Sequence, residues 1–317
     1  MTAQQLSGTG PNLDARRRRS RRATWEEPPT AAGTLAKAAV LALLVAAVLV
    51  PLWAVLVTSL ASRETIDAAG GMVMMPREID PSAYLTIFNG GQITQAVWIS
   101  TLVTVLGTTV SLVLTVLAAY GLSRPGSVGH RGLIFFFLLT FLIFPGLVPS
   151  YLVVTGLGLK DSIWSLILPS AISVFNLVVI RAFFMNVPGE LLDSARIDGA
   201  GEFRILLRIV LPLSRAVIAV VGLFYAVGYW NAYFNAVLYI DDNDKFPIQR
   251  VLQSYILAGQ SPNVSGSAVS LPGISAYPPT LAVKMAVVMV TVVPAVIVYP
   301  FVQRHFTKGV ITGAVKG

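Results

Sequence analysis

An all-α membrane protein with six transmembrane helices is the fold class this sequence predicts, and three observations predict it. Apolar residues fill 55% of the 317 positions and charged residues only 12%, a balance too apolar for an ordinary soluble domain. Six apolar stretches, 35–60, 96–122, 132–155, 163–184, 216–240 and 281–302, reach the roughly twenty residues that cross a bilayer. Basic residues fall densely in alternate loops and sparsely in the others, which is the pattern that orients such proteins.

Residues 1–34 read as a disordered, basic, cytoplasmic tail, with Arg16 to Arg19, Arg21 and Arg22 and no periodicity. Ser20-Arg21-Arg22 resembles a twin-arginine signal, but the apolar run behind it is too long for a signal-peptide core, so the first helix is expected to stay uncleaved. Residues 35–317 form the membrane domain. The tail, the loop with Arg124 and Arg131, the segment with Arg181, Arg196, Arg204, Arg208 and Arg215, and the end with Arg304, Lys308 and Lys316 alternate with basic-poor, acid-bearing loops. Both termini are therefore expected in the cytoplasm. The net charge of +8 sits mainly beside a membrane span, so it reports topology rather than nucleic-acid binding.

Two outward loops carry structure of their own. Asp80 is placed to cap a short helix over 81–88, stopped by Asn89-Gly90-Gly91. Pro247 opens a run with Ile248, Leu252, Tyr255 and Ile256 on one face, ending at Gly259. Both helices either cover span ends or face an external protein. The Ser/Gly/Pro-rich residues 260–277 read as a connector.

Several chemistries are excluded. No cysteine is present, so there is no disulfide or thiolate chemistry. No G-x-x-x-x-G-K-[ST] loop occurs, so ATP and magnesium are expected on another polypeptide and no cofactor on this one. His130 and His305 stand at separate span ends and make no metal site. Nucleophile and base combinations are absent as well, so the chain does not read as an enzyme. The acids fall in the tail, loops or span edges, which disfavours a proton-coupled carrier acting alone. Lys284, one turn inside the sixth stretch, is placed to snorkel outward.

The segment 188–212 separates the fourth and fifth stretches and carries most of the chain's amphipathic charge. Pro188 suits a helix start and Gly199 a left-handed stop after Asp198. Phe203, Leu206, Leu207 and Val210 then recur at helical spacing until Pro212. Asp193, Ser194, Ala195, Gly199, Ile209, Leu211 and Pro212 resemble, at matching offsets, the EAA-x3-G-x9-I-x-LP loop of ABC-importer permeases, with Asp193 and Ser194 standing for Glu and Ala. The strings at 118–124 (AAYGLSR), Trp230-Asn231 and 304–309 (RHFTKG) extend the resemblance to the MalG-like permeases of carbohydrate ABC importers. Those at 146–151 (GLVPSY) and 222–228 (GLFYAVG) are similar to the oligosaccharide branch related to LplC and aldouronate uptake.

The resemblance implies a type I importer permease fold in a bacterial cytoplasmic membrane. It also implies a second homologous permease, two ATP-binding subunits and an extracytoplasmic sugar-binding protein. ATPase coupling would fall to Glu190, Asp193, Ser194, Ala195, Asp198, Gly199, Ile209, Leu211 and Pro212. For the substrate pathway, sugars offer C–H faces to aromatic rings and hydroxyls to amides, so Tyr225, Tyr229, Trp230, Asn231 and Phe234 of the fifth stretch and Asn176 of the fourth are the candidates. Helix–helix packing is the alternative role for each. An ABC permease for a non-sugar solute and an ion-coupled carrier remain the alternative functions.

Overall fold

The computed structural model describes residues 30–257 and 280–314 apart from Gly90, Pro125, Ser127, Val128 and Phe144, and gives backbone alone for 257, 280, 298, 299 and 301–314. The basic tail, the stop at Gly259 and the 260–277 connector lie outside the described residues. Helices account for the regular structure, with no strand among the described residues. The chain divides into two compact units, residues 1–52 and 53–317.

The first helix, α1 (Ala31–Ser59), begins inside the predicted tail, so residues 31–34 are helical rather than disordered. It carries Pro51 without interruption and is exposed along its first unit, as expected of a helix whose apolar surface faces lipid or protein rather than a core of its own. α2 (Arg63–Ala69), which the sequence pattern did not single out, is capped by Ser62, and Gly70 closes it at φ 68°. α3 (Ser82–Asn89) starts as expected, its Ser82 N–H donating to Asp80 Oδ1 at 2.9 Å.

α4 (Gln92–Ser123) is a single long apolar helix. The next two stretches are broken. The third, expected as one helix, is α5 (His130–Leu142) and α6 (Leu147–Gly156), bent by 118°. Pro145 and Gly146 (φ 82°) explain the break, since one lacks a donor and the other sits where helical backbone cannot. The fourth is α7 (Ile163–Ser170), whose last turn is 3₁₀, and α8 (Val174–Met185), bent by 53°. Pro169 tightens that turn and Ser173 caps the new helix.

The charged segment follows as α9 (Gly189–Ile197) and α10 (Glu202–Leu213). An 85° bend at Ser214 leads into α11 (Arg215–Trp230), and a second break at Asn231-Ala232 into α12 (Tyr233–Tyr239). α13 (Ile248–Leu257) and the long α14 (Thr280–Ala314) complete the chain. The buried face of α13 is Ile248, Val251 and Tyr255, while Ile256, expected on that face, is 44% exposed.

Two apolar cores result. One joins α4, α7, α8, α10, α11 and α12 around Val103, Ile167, Ile180, Val221 and Ile240, and takes in Leu192 of α9. The other joins the C-terminal end of α1, the short outer helices, α13 and the start of α14 around Val57, Ile87, Val251 and Val287. The charged segment therefore shares a core with the spans that follow and precede it.

Candidate functional site: a charged helical lever and an amide-lined cavity

α9 ends in a Schellman stop. Asp198 is the last half-helical residue, the Gly199 N–H donates to Arg196 O at 3.0 Å and the Ala200 N–H to Ala195 O at 2.9 Å, with Gly199 at φ 78°. Ala195 and Ala200 pack on the core, and Leu192 is buried beneath them. Glu190, Asp193, Ser194 and Asp198 point outward. Glu190 lies in the first turn, where an acid suits the helix dipole. The Ser194 hydroxyl donates back to Glu190 O at 2.8 Å.

In the second half, the run Phe203, Leu206, Leu207 and Val210 does not stay on one face. Ile205, Leu206 and Val210 are buried, whereas Phe203 and Leu207 are exposed at 67% and 48%. A π-helical turn over Leu206–Val210 adds a residue to the turn and shifts the register of the residues from there onward. Ile209 and Leu211 pack against the core, and Pro212 occupies the short helical turn that ends at the bend. Sequence reading also missed the outward apolar residues of α9, Leu191 (47% exposed) and Ile197 (87%). The sequence signal that could have found them is an apolar residue set among charges, as Ile197 is between Arg196 and Asp198.

A polar cluster ties this segment to the end of α4. The Tyr120 hydroxyl donates to Glu202 Oε2 at 2.5 Å, and Arg124 Nη2 donates to Tyr120 Oη at 2.9 Å. Arg196 Nε and Nη2 donate to Glu202 Oε1 at 3.1 and 3.0 Å, while its Nη1 reaches Asp193 Oδ1 at 3.0 Å. The Tyr120 hydroxyl first, then Arg196 and Arg124, hold the Glu202 carboxyl below its ordinary value. A lowered carboxylate pKa stabilises the folded arrangement above the ordinary carboxylate value, and that contribution fades as pH falls through the lowered one. Glu202 is 54% exposed, so the contribution is about 1 kcal/mol at most. Glu202→Gln is accordingly expected to lower the melting temperature slightly at neutral pH, with the difference from the parent protein disappearing in acid; melting curves across pH check this.

The second feature is a cavity of about 470 Å³ at the break in the fourth stretch. Ser170, Ser173, Phe175 and Asn176 form one wall, and residues of α11 and α12 the other. Of the predicted pathway residues, Asn176, Tyr225, Tyr229, Asn231 and Phe234 line it, joined by Phe224, Gly228, Ala232 and Asn235. Trp230 does not line it. Its ring packs on the second core and its Nε1–H donates to Thr291 O of α14 at 3.1 Å. One residue beyond Tyr229 on a helix is a rotation of about 100°, which turns Trp230 off the cavity face. Trp230→Ala is therefore expected to cost about 2–3 kcal/mol of stability, below the value for a fully buried Trp, and to leave the KM for uptake unchanged. Thermal unfolding and uptake kinetics on the same preparation check both.

The two tyrosines contribute ring surface, because their hydroxyls are already engaged. Tyr229 Oη donates to Ile167 O at 3.1 Å and so accepts from Ser111 Oγ at 2.7 Å. Tyr225 Oη accepts from the Ser173 N–H at 2.9 Å and pairs with Thr115 Oγ1 at 2.7 Å. They thereby pin α11 to α4 and to both sides of the α7–α8 break. Asn231 Nδ2 donates to Val227 O at 2.9 Å and its Oδ1 accepts from Gln249 of α13 at 3.3 Å. Asn235 Nδ2 reaches Ser170 Oγ at 3.4 Å across the cavity.

Residues 111–312 match the model of the "Binding-protein-dependent transport system inner membrane component" family. The chain belongs to that family. This permease is 44% identical over 245 residues, 77% of its length and 85% of the relative's, to the "Polygalacturonan/rhamnogalacturonan transport system permease protein YtcP" of Bacillus subtilis. It is 41% identical over 244 residues, 77% of its length and 81% of the relative's, to "Protein LplC" of the same organism. A chain of a solved bacterial ABC transporter involved in the import of the acidic polysaccharide alginate superposes with TM-score 0.81 at 26% identity, covering 90% of this permease and 100% of that chain. The permease thus has the type I ABC permease fold and is a membrane component of an ABC transport system. The resemblance to the LplC branch stands with it.

Proposed function

We propose that this permease is one of two that together form the translocation pathway of an ATP-driven importer of sugars or oligosaccharides. Support for the solute class comes from the carbohydrate transport named for its relative YtcP and from the amides and aromatic rings of the cavity, a surface suited to hydroxyls and C–H faces. Two separate ATP-binding subunits hold ATP and magnesium, and an external sugar-binding protein delivers the solute. Six spans with both termini cytoplasmic fit the alternation of basic loops. Two unbroken or nearly unbroken helices, three bent pairs and the apolar Leu281–Ile297 stretch are compatible with that number.

The observation that carries this reading is the shared core. Leu192 under the charged lever and Tyr225 and Tyr229 beside the cavity belong to one apolar cluster, so a push on α9 has a packed route to the cavity wall. Glu190, Asp193, Ser194, Ala195, Asp198 and Gly199, with the exposed Leu191 and Ile197, form the surface offered to an ATP-binding subunit, and Ile209, Leu211 and Pro212 join it to the fifth span. Closure of the ATP-binding subunits shifts the lever, tilts α8 and α11, and turns the cavity from outward to inward access. Purification of the intact assembly in mild detergent tests the reading. An ATP-binding subunit and a second permease that co-purify, with oligosaccharide uptake after reconstitution, are the expected result; uptake by this chain alone overturns it.

A further inference from the structure

Both chain routes out of the charged segment turn a corner. α8 is parted from α9 by the turn at 186–188, and α11 from α10 by the 85° bend at Ser214; such joints absorb a displacement as hinges do. α4 is different. It runs as one helix from Gln92 to Ser123, stands far from the segment in sequence, and meets it through side chains of its last turn.

The meeting point is Tyr120. Its ring is buried edge-on to Phe184, and the Arg124 guanidinium stands 4.5 Å from its centroid. Its hydroxyl accepts from Arg124 Nη2 at 2.9 Å, and an arginine cannot accept in return, so the hydroxyl proton is left for Glu202 Oε2 at 2.5 Å. A bond to a carboxylate is of the strong, charge-assisted kind. Arg196 holds Asp193 and Glu202 with one guanidinium, so α9 and the first turn of α10 pull on Tyr120 together.

The cavity hangs on the same helix. Thr115 and Ser111 lie five and nine residues before Tyr120, about 7.5 and 13.5 Å along the axis. Thr115 Oγ1 pairs with Tyr225 Oη and Ser111 Oγ with Tyr229 Oη, each at 2.7 Å, and both tyrosines line the cavity. Tyr225 Oη also accepts from the Ser173 N–H at the cap of α8. One unbroken helix therefore holds the lever at its end and both cavity walls further in.

We propose that Tyr120 and Glu202 are positioning residues for transport, and that their bond makes α4 the member that carries the lever's displacement to the cavity walls. This rests on the ATP-driven importer reading and adds the path taken through the chain. When the lever moves, α4 moves as a rod, and Tyr225, Tyr229 and the cap of α8 move with it. Without the bond the ATP-binding subunits still close and hydrolyse ATP, while the cavity follows poorly.

The test uses the full importer in vesicles, with its partner subunits and binding protein, and a radiolabelled oligogalacturonide as probe. The readout is probe imported per ATP hydrolysed, with melting curves on the same preparations. Tyr120→Phe keeps the ring and loses the bond, and Glu202→Ala removes the acceptor; each is expected to lower the ratio about tenfold. The double variant is expected to lose no more than the larger single loss, because one bond is removed only once. Glu202→Gln keeps an oxygen that accepts from Tyr120 and is expected to retain most of the ratio. An unchanged ratio in Tyr120→Phe, even with a lower melting temperature, makes Tyr120 a packing residue and overturns the proposal. Losses that multiply in the double variant overturn it too, as does a loss in Glu202→Gln equal to that in Glu202→Ala, which assigns the effect to the arginine pairs. Each of these leaves the importer reading standing. A parent assembly that imports the probe without hydrolysing ATP, or hydrolyses ATP without importing it, overturns that reading and the proposal with it.

Discussion

Gly199→Pro is expected to cut uptake severely while the assembly still inserts in the membrane. Gly199 sits at φ 78° and gives its N–H to Arg196 O. Proline fixes φ near −65° and has no N–H, so both halves of the Schellman stop fail together and the Ala200–Ala195 bond loses its geometry. The expected cost is about 3 kcal/mol or more locally, concentrated at the one joint that sets the angle between α9 and α10. Uptake is expected to fall by about a hundredfold, the rate equivalent of such a loss. Gly199→Ala separates the effects, because it keeps the N–H and carries only the left-handed strain, about 1–2 kcal/mol. The checks are transport rate and membrane yield; full uptake by Gly199→Pro contradicts a coupling role for the joint.

Gly107→Val disables the other end of the same core. A β-carbon at Gly107 of α4 would lie 2.8–2.9 Å from three ring atoms of Tyr229. The ring cannot swing aside without breaking its bonds to Ser111 Oγ and Ile167 O. Overpacking of this kind costs about 1–3 kcal/mol, and here it also parts α11 from α4 and shifts the cavity wall. The expected result is a lower melting temperature and about fivefold slower uptake at the lower end of that cost. Tyr229→Phe keeps the ring and loses only the hydroxyl bonds, a smaller loss of about 1 kcal/mol. A Gly107→Val protein with normal uptake contradicts the close approach.

The membrane character, the apolar stretches and the stop at Gly199 were legible in the sequence because each rests on local rules: apolar run length, basic-loop bias and the need for positive φ. The breaks were less so. Pro145-Gly146 and Pro169 announce theirs in retrospect, but an apolar run around a proline also suits a kinked span, and nothing local marks Asn231-Ala232 as a helix end. The π-turn at Leu206–Val210 likewise leaves no local mark, and the run Phe203, Leu206, Leu207 and Val210, which reads as one apolar stripe, is split between an exposed pair and a buried one.

At the cavity, the aromatic and amide cluster of the fifth span was readable from residue type, and Asn176 from its place in an apolar run. Which groups are free was not, because the partners of Tyr225 and Tyr229 lie 110 and 118 residues away on α4. The same holds for Trp230, whose bond to Thr291 depends on a helix far along the chain. Long-range pairing, rather than residue type, decides whether a polar group in a span faces a solute or a neighbouring helix.

The central claim is that the α9 lever receives force from a separate ATP-hydrolysing subunit. Because the chain has no cysteine, Ile197→Cys would carry this chain's sole thiol at a position 87% exposed, with Leu192→Cys, 6% exposed, as the buried control. Thiol crosslinking in membranes actively importing solute is predicted to capture an ATP-binding subunit from position 197 and not from position 192. Active uptake with no such subunit captured from 197, nor from Leu191→Cys or Phe203→Cys, contradicts the account.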